Sequence, residues 1–277
     1  MYTPTNISRI DTSNAIGLFD SGIGGLTVAR AVHQLLPQES IIYFGDTAHL
    51  PYGDKSTAAI QAYAIKICNV LLQQNCKVIL IACNSASVAA YDLVREYVGS
   101  RAKVMNVIDP MINYIGQVYQ QQKVGLIGTK QTIQSNVYKK KVDELKAGIQ
   151  LQSLATPLLV PMIEEDFFRN SIREDIIETY LSRDELKQIK SLILGCTHYP
   201  LIKSSIQGYY KDKVEILDSS EIVAQSLKGL LEMHNITNKS GKVFQKFYVS
   251  DFTQSFEIST KLFFGKKVQL EHYPLWE

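Results

Sequence analysis

Cysteine stands at two places in this chain where a thiol could do chemistry. In "VILIACNSAS" (78–87) and again in "SLILGCTHYP" (191–200), an apolar run passes through one small residue into Cys83 or Cys196 and then into polar side chains. Each cysteine ends a candidate strand and opens a candidate helix. Unpaired backbone N–H groups and the positive end of a helix dipole favour a thiolate there, so a thiol pKa of about 8.5 is expected to fall toward neutrality. Cys68 lies on the apolar stripe of a helix and Cys76 stands between "QQN" and a strand, where free cysteine behaves as a small, inert hydrophobe. No C-x-x-C pair is present, and "CTH" sets two ligands too close together for zinc, so no metal is expected.

A second chemical feature is the glycine loop "DSGIGGLTVAR" (20–30), whose amides could cradle an anion at a helix start. It imitates a dinucleotide fingerprint, with Asp46 where a ribose-binding acid would stand. Thr27 at the third glycine position and Asp20 beside the loop argue against a pyrophosphate. A carboxylate at the amides, with Asp20 free to pair with an ammonium group, is a better fit. An amino acid carries both charges.

The elements that must position these residues read as alternating strands and helices. Candidate strands fall at 15–19, 40–44, 77–82, 103–108, 123–128, 148–154, 191–195, 214–217, 244–249 and 267–272. Between the second and third, apolar residues near 60, 63, 64, 67, 68, 71 and 72 trace a helix stripe. Such a βαβα pattern predicts parallel sheets covered on both faces, with ligands at the carboxyl ends of the strands. Both Cys83 and Cys196 fall at those ends. "IGLFDS" (16–21) also echoes "VGLIGT" (124–129) at a shift of 108, while Cys83 and Cys196 differ by 113. The near agreement predicts two similar halves, each with a strand ending in a hydroxyl residue (Ser21, Thr129) and one ending in a thiol.

With 277 residues and 45% hydrophobic content, the chain can bury one large or two modest cores. A net charge of +2 without a basic block excludes a nucleic-acid footprint, and "KKK" (139–141) reads as a solvated helix face. No run reaches the roughly 18 apolar residues of a membrane span, and the opening segment has no signal-peptide core. A cytoplasmic location is expected, with its cysteines unpaired.

The ordered motifs "GLFDSGIGGLTV", "YFGDTAHLPYGDKS", "ACNSAS", "VPMIEED", "LGCTHYP" and "LDSSEIVA" run nearly end to end, and through them the chain closely resembles the glutamate racemases of the aspartate/glutamate racemase family. The resemblance implies two pseudo-symmetric parallel-sheet α/β domains with the active site in the cleft between them, here expected as 1–108 plus 219–277 and as 109–218. It implies that Cys83 and Cys196 are acid/base thiols, acting on D- and L-glutamate respectively, with no cofactor. Substrate contacts are implied at Asp20, Ser21, Tyr52, Gly53, Asn84, Ser85, Thr197 and His198. On this reading Asp20 orients Cys83, His198 and Glu164 assist Cys196, and Asn84, Ser85 and Thr197 hold the α-carboxylate. The D-glutamate made would serve peptidoglycan synthesis.

Two residues depart from the family pattern: Ser85 stands for the usual threonine, and Thr156 for a frequent cysteine. The expected partner is a small molecule, glutamate, and neither nucleic acid nor membrane; a homodimer is left open. Four other readings stay open: an aspartate racemase, a cysteine hydrolase using a Cys196/His198 dyad, a thiol oxidoreductase and a two-lobed amino-acid-binding protein.

Overall fold

The computed structural model describes residues 10–164 and 171–277. Its strands are β1 (Ile16–Asp20), β2 (Ile41–Gly45), β3 (Val78–Ile81), β4 (Lys103–Asn106), β5 (Lys123–Gly128), β6 (Gln150–Ala155), β7 (Ser191–Gly195), β8 (Glu215–Leu217), β9 (Gln245–Val249) and β10 (Glu271–His272). The helices are α1 (Leu26–Leu35), α2 (Thr57–Gln73), α3 (Asn84–Val98), α4 (Ile108–Val118), α5 (Lys130–Gln134), α6 (Val137–Leu145), α7 (Leu159–Glu164), α8 (Ser171–Leu181), α9 (Lys203–Tyr210), α10 (Ser219–Met233) and α11 (Gln254–Phe264). The opening segment 1–9 and the Glu165 and Asp166 of "VPMIEED" lie outside the described residues.

Every strand pairing is parallel, and the strands form two sheets in the orders β10-β9-β2-β1-β3-β4 and β6-β5-β7-β8. The inner order β2-β1-β3-β4 matches β6-β5-β7-β8 position for position. This equivalence places Ser21 opposite Thr129, and Cys83 opposite Cys196, in the two α/β domains that the echo predicts.

The apolar runs become strands because both faces of each sheet are covered. Along the first sheet the two-residue period sends Ile16, Leu18, Val78 and Leu80 to one core, and Phe19, Ile79 and Ile81 to the other. The first of these cores continues through Val107 and Met111 into Leu126, Leu192 and Leu194 of the second sheet. One apolar cluster therefore joins the two sheets. Helix α10 packs on both α1 and α4 and braces the same junction.

The last strand is shorter than expected. Of 267–272 only Glu271 and His272 pair with β9, because Gly265, at φ +86°, ends α11 and the Val268 amide then donates to Thr260 Oγ1 on that helix. Val268 and Leu270 are buried as apolar plugs rather than as ladder residues.

At the amino-terminal end of β3 sits a fully buried ion pair, Lys77 Nζ 2.6 Å from Glu39 Oε2. Lys77 also donates to the Thr12 carbonyl at 2.6 Å, and Glu39 Oε1 accepts the Asn238 amide at 2.8 Å. Four separate segments, around residues 12, 39, 77 and 238, meet at this pair. Replacing Lys77 by methionine is expected to lower the free energy of unfolding by about 3 kcal/mol, because it leaves a buried carboxylate uncompensated. Urea unfolding measures this. The rate of Cys83 alkylation should change less than about twofold, since that residue lies at the other end of β3. A stability loss below about 1 kcal/mol would show that the pair does not anchor these segments.

Candidate active site

Cys83 follows β3 and caps α3: its Sγ accepts the Ala86 amide at 3.4 Å, and its S–H points to Ser21 Oγ at 3.8 Å. The helix N-terminus is therefore where the sequence predicts it, yet the thiol is not acidified. Burial pushes the Cys83 pKa well up and the Asp20 charge adds to it, while the Ala86 amide pulls the other way and loses. One amide and a helix dipole do not outweigh desolvation beside a carboxylate.

Cys196 follows β7 but opens no α-helix, contrary to expectation. Pro200 lies in a 3₁₀ turn, Tyr199–Ile202, and α9 begins only at Lys203. In place of a helix end, the sulfur has a histidine. His198 Nδ1 lies 3.8 Å from Cys196 Sγ and its Nε2 lies 2.9 Å from Glu164 Oε1. Burial lowers the His198 pKa, but its bonds to Cys196 and Glu164 and their charges outweigh burial and hold it up at about 10. The two sulfurs therefore meet opposite fields: a carboxylate behind the first and an imidazolium beside the second.

Three amides of the glycine loop are used within the loop itself. Gly22 donates its amide to Asp20 Oδ2, and the Leu26 and Thr27 amides are satisfied inside the turn, so these donors do not form the expected anion cradle. A Cβ at Gly24 would stand 2.5 Å from the His198 ring and 2.6 Å from Thr197 Oγ1, so only glycine lets the loop approach that wall. Thr27, at the third glycine position, donates its hydroxyl toward the Thr197 carbonyl at 3.2 Å and ties the halves together.

Donors for a carboxylate gather instead at the start of α3. Tyr138 donates to Asn84 Oδ1 at 2.7 Å, which fixes the amide and leaves the buried Nδ2 without a partner. Ser85 Oγ lies 2.9 Å from Thr129 Oγ1. An orphaned buried donor on a cleft wall is a ready partner for an anion.

Ser21, Tyr52, Gly53, Cys83, Asn84, Ser85, Glu164, Cys196, Thr197 and His198 all line one cleft, with about 30 Å³ of free space. Asp20 is absent from that wall: it is fully buried behind it, accepting from Gly22 and, at 3.4 Å, from Thr197 Oγ1. Thr129, Leu50, Pro51 and Val160 line the cleft too and were not among the residues expected there. The strand-end echo marks Thr129, and Leu50, Pro51 and Val160 stand inside the motifs "YFGDTAHLPYGDKS" and "VPMIEED", though no site role was expected of them. Cys68 and Cys76 are buried free thiols, the latter pushed by burial up to about 12. Among the described residues no group of three or more His, Cys, Asp or Glu could hold a metal, and no helix is long and apolar enough to cross a membrane. A larger groove of about 510 Å³ between α4, β8 and α10 contains neither thiol.

Residues 26–227 match the family described as Asp/Glu/Hydantoin racemase. The glutamate racemase of Chlorobaculum tepidum is 38% identical over 261 residues, covering 94% of this chain and 96% of its own. Among solved structures, the glutamate racemase of Francisella tularensis in complex with D-glutamate superposes with a TM-score of 0.89 at 38% identity, over 96% of this chain and 99% of that one. The Thermus thermophilus glutamate racemase in complex with β-chloro-D-alanine gives 0.85 at 36%, over 95% and 98%.

The raised His198 pKa has a stability consequence. A group held above its unfolded pKa contributes stability that is fully present below about pH 6.5 and is lost as pH rises through the folded value; here that value is about 10. The difference in unfolding free energy between the unaltered protein and His198→Asn should therefore be constant below about pH 6.5 and shrink toward the folded pKa. Urea titrations at acidic, neutral and alkaline pH would show it. A difference that is flat across that window would mean His198 is not held as an imidazolium.

Proposed function

We propose that this chain, which belongs to the Asp/Glu/hydantoin racemase family, interconverts L- and D-glutamate by moving the α-proton between two thiols, without a cofactor. One observation carries the reading: Cys83 and Cys196 end equivalent strands of two matching sheets and line the same cleft. Inverting a stereocentre through a planar carbanion needs a base on one face and an acid on the other. One thiol from each half supplies the pair.

In the forward step a thiolate takes the α-proton while the opposite S–H gives up its own, so the sulfurs exchange protonation states as the carbon inverts. Cys83, kept protonated by burial and Asp20, suits the donor's part when Cys196 abstracts from L-glutamate. The reverse direction then begins at Cys83 with D-glutamate. Asn84 Nδ2, Ser85 and Thr197 are the donors for the α-carboxylate, and the His198–Glu164 pair steadies Cys196. Asp20 acts from behind the wall, through its field on Cys83 and its bonds to Gly22 and Thr197. A small, closed cleft excludes water, which strengthens each of these interactions around the developing charge.

On this reading the domains are 1–108 with 219–277 and 109–218, the protein is cytoplasmic, and its D-glutamate feeds peptidoglycan synthesis. That last role rests on the resemblance to bacterial glutamate racemases. The Cys196–His198–Glu164 arrangement also suits a cysteine hydrolase. That chemistry leaves Cys83 idle and passes through a thioester, which mass spectrometry of the enzyme after substrate would detect.

Purified protein, dialysed against chelator, should racemise glutamate and neither need nor gain from metal or pyridoxal phosphate. Cys83→Ser and Cys196→Ser should each lose at least about 10³-fold in turnover while folding normally, because a serine hydroxyl is too weak an acid for this exchange. In deuterated water the product should acquire label before recovered substrate does. Near-normal turnover by either serine variant would falsify the two-thiol assignment, and a faster reaction with aspartate would reassign the substrate.

A further inference from the structure

Directly after β2, Asp46 is fully buried, and four side chains donate to its carboxylate: Tyr52 Oη, Ser250 Oγ and Trp276 Nε1 at 2.7 Å each, and His49 Nδ1 at 3.0 Å. Its main-chain amide donates to the Asp20 carbonyl at 3.0 Å. Tyr52 belongs to the 50–53 loop, every residue of which lines the cleft. Trp276, 230 positions along the chain from Asp46, is edge-on to the His49 ring at 4.4 Å and packs near Tyr63 at 5.3 Å, with Lys66 Nζ 4.7 Å above it. One indole outside the cleft lining thus reaches the cleft wall through a single carboxylate.

We propose that Trp276 is a positioning residue that holds the 50–53 loop in its substrate-binding form through Asp46. This rests on the glutamate reading above. A buried carboxylate that loses one of its donors must find a replacement, and the hydroxyl of Tyr52 is the donor that a loop movement would redirect. Once the loop samples other positions, apparent affinity falls by the fraction still competent. The sulfurs, fixed at β3 and β7, are untouched. Binding should therefore weaken while the chemical step proceeds as before.

Trp276→Phe keeps a ring but removes the N–H. It is expected to raise KM for glutamate about tenfold with kcat within about twofold, since a hydrogen bond to a charged group is lost outside the reacting centre. Iodoacetamide labelling of Cys83 should quicken several-fold, because the loop that lines the cleft with it is loosened. Leu275→Ala, which trims packing in the same segment but has no donor to Asp46, should change neither. In a Tyr52→Phe background, Trp276→Phe should add less than about twofold, the sign of two residues acting through one link. Unchanged KM and labelling in Trp276→Phe, with or without a lowered Tm, would overturn the proposal, as would equal effects in Leu275→Ala. Should Trp276→Phe not fold, Ser250→Ala, which removes another donor from the same carboxylate, takes its place with the same criteria. If the unaltered protein does not turn over glutamate, the reaction assigned above fails; labelling reads the loop without any substrate.

Discussion

The spacing between the carboxyl ends of the two sheets is the constraint on which the rest of the structure depends. Cys83 and Cys196 come from different sheets and line one cleft only because contacts across the gap hold the sheets together. Thr27 to the Thr197 carbonyl, Thr197 to Asp20, Ser85 to Thr129 and Tyr138 to Asn84 all cross that gap within or beside the cleft. Behind them the continuous apolar cluster from Leu18 to Leu194 makes the joint stiff. Glycine at position 24 follows from the same constraint, since a methyl group there would push His198 and Thr197 away.

Matching sheets do not give matching sulfurs. Cys83 caps a true helix but sits in front of Asp20, whereas Cys196 has no helix behind it and takes its cation from His198. The symmetry of the backbone thus supports two different electrostatic solutions. The two sulfurs therefore have unlike surroundings, with Asp20 and deep burial at Cys83 and the His198–Glu164 pair at Cys196. Burial and bonding at each sulfur, rather than backbone position, decide the resting state.

Much of this was legible in the sequence because it is local. Strand positions follow from unbroken apolar runs, both thiols from their place at strand ends, and the second half from the echo of "IGLFDS" in "VGLIGT". What was not legible depends on contacts between distant residues. The raised Cys83 thiol depends on Asp20 packing behind it, and the placement of Asp20 behind the wall depends on Gly22 and Thr197. The 3₁₀ turn after Cys196 accords with Pro200, but no spacing rule announces the His198–Glu164 pair beside the sulfur. Trp276 and Asp46, like Lys77 and Glu39, meet across the chain and leave no periodic trace.

The cleft's rim is built differently from its floor. At the rim the halves touch through exposed groups, Gln131 Nε2 to Thr57 Oγ1 at 3.0 Å and Lys130 Nζ to Asp54 at 3.6 Å. Exposed pairs of this kind contribute at most about 1 kcal/mol and are readily exchanged for water. The floor contacts, Tyr138 to Asn84 and Thr197 to Asp20, are buried and cost more to break. The joint between the halves is therefore carried by its buried floor and the apolar cluster behind it, and the exposed rim adds little.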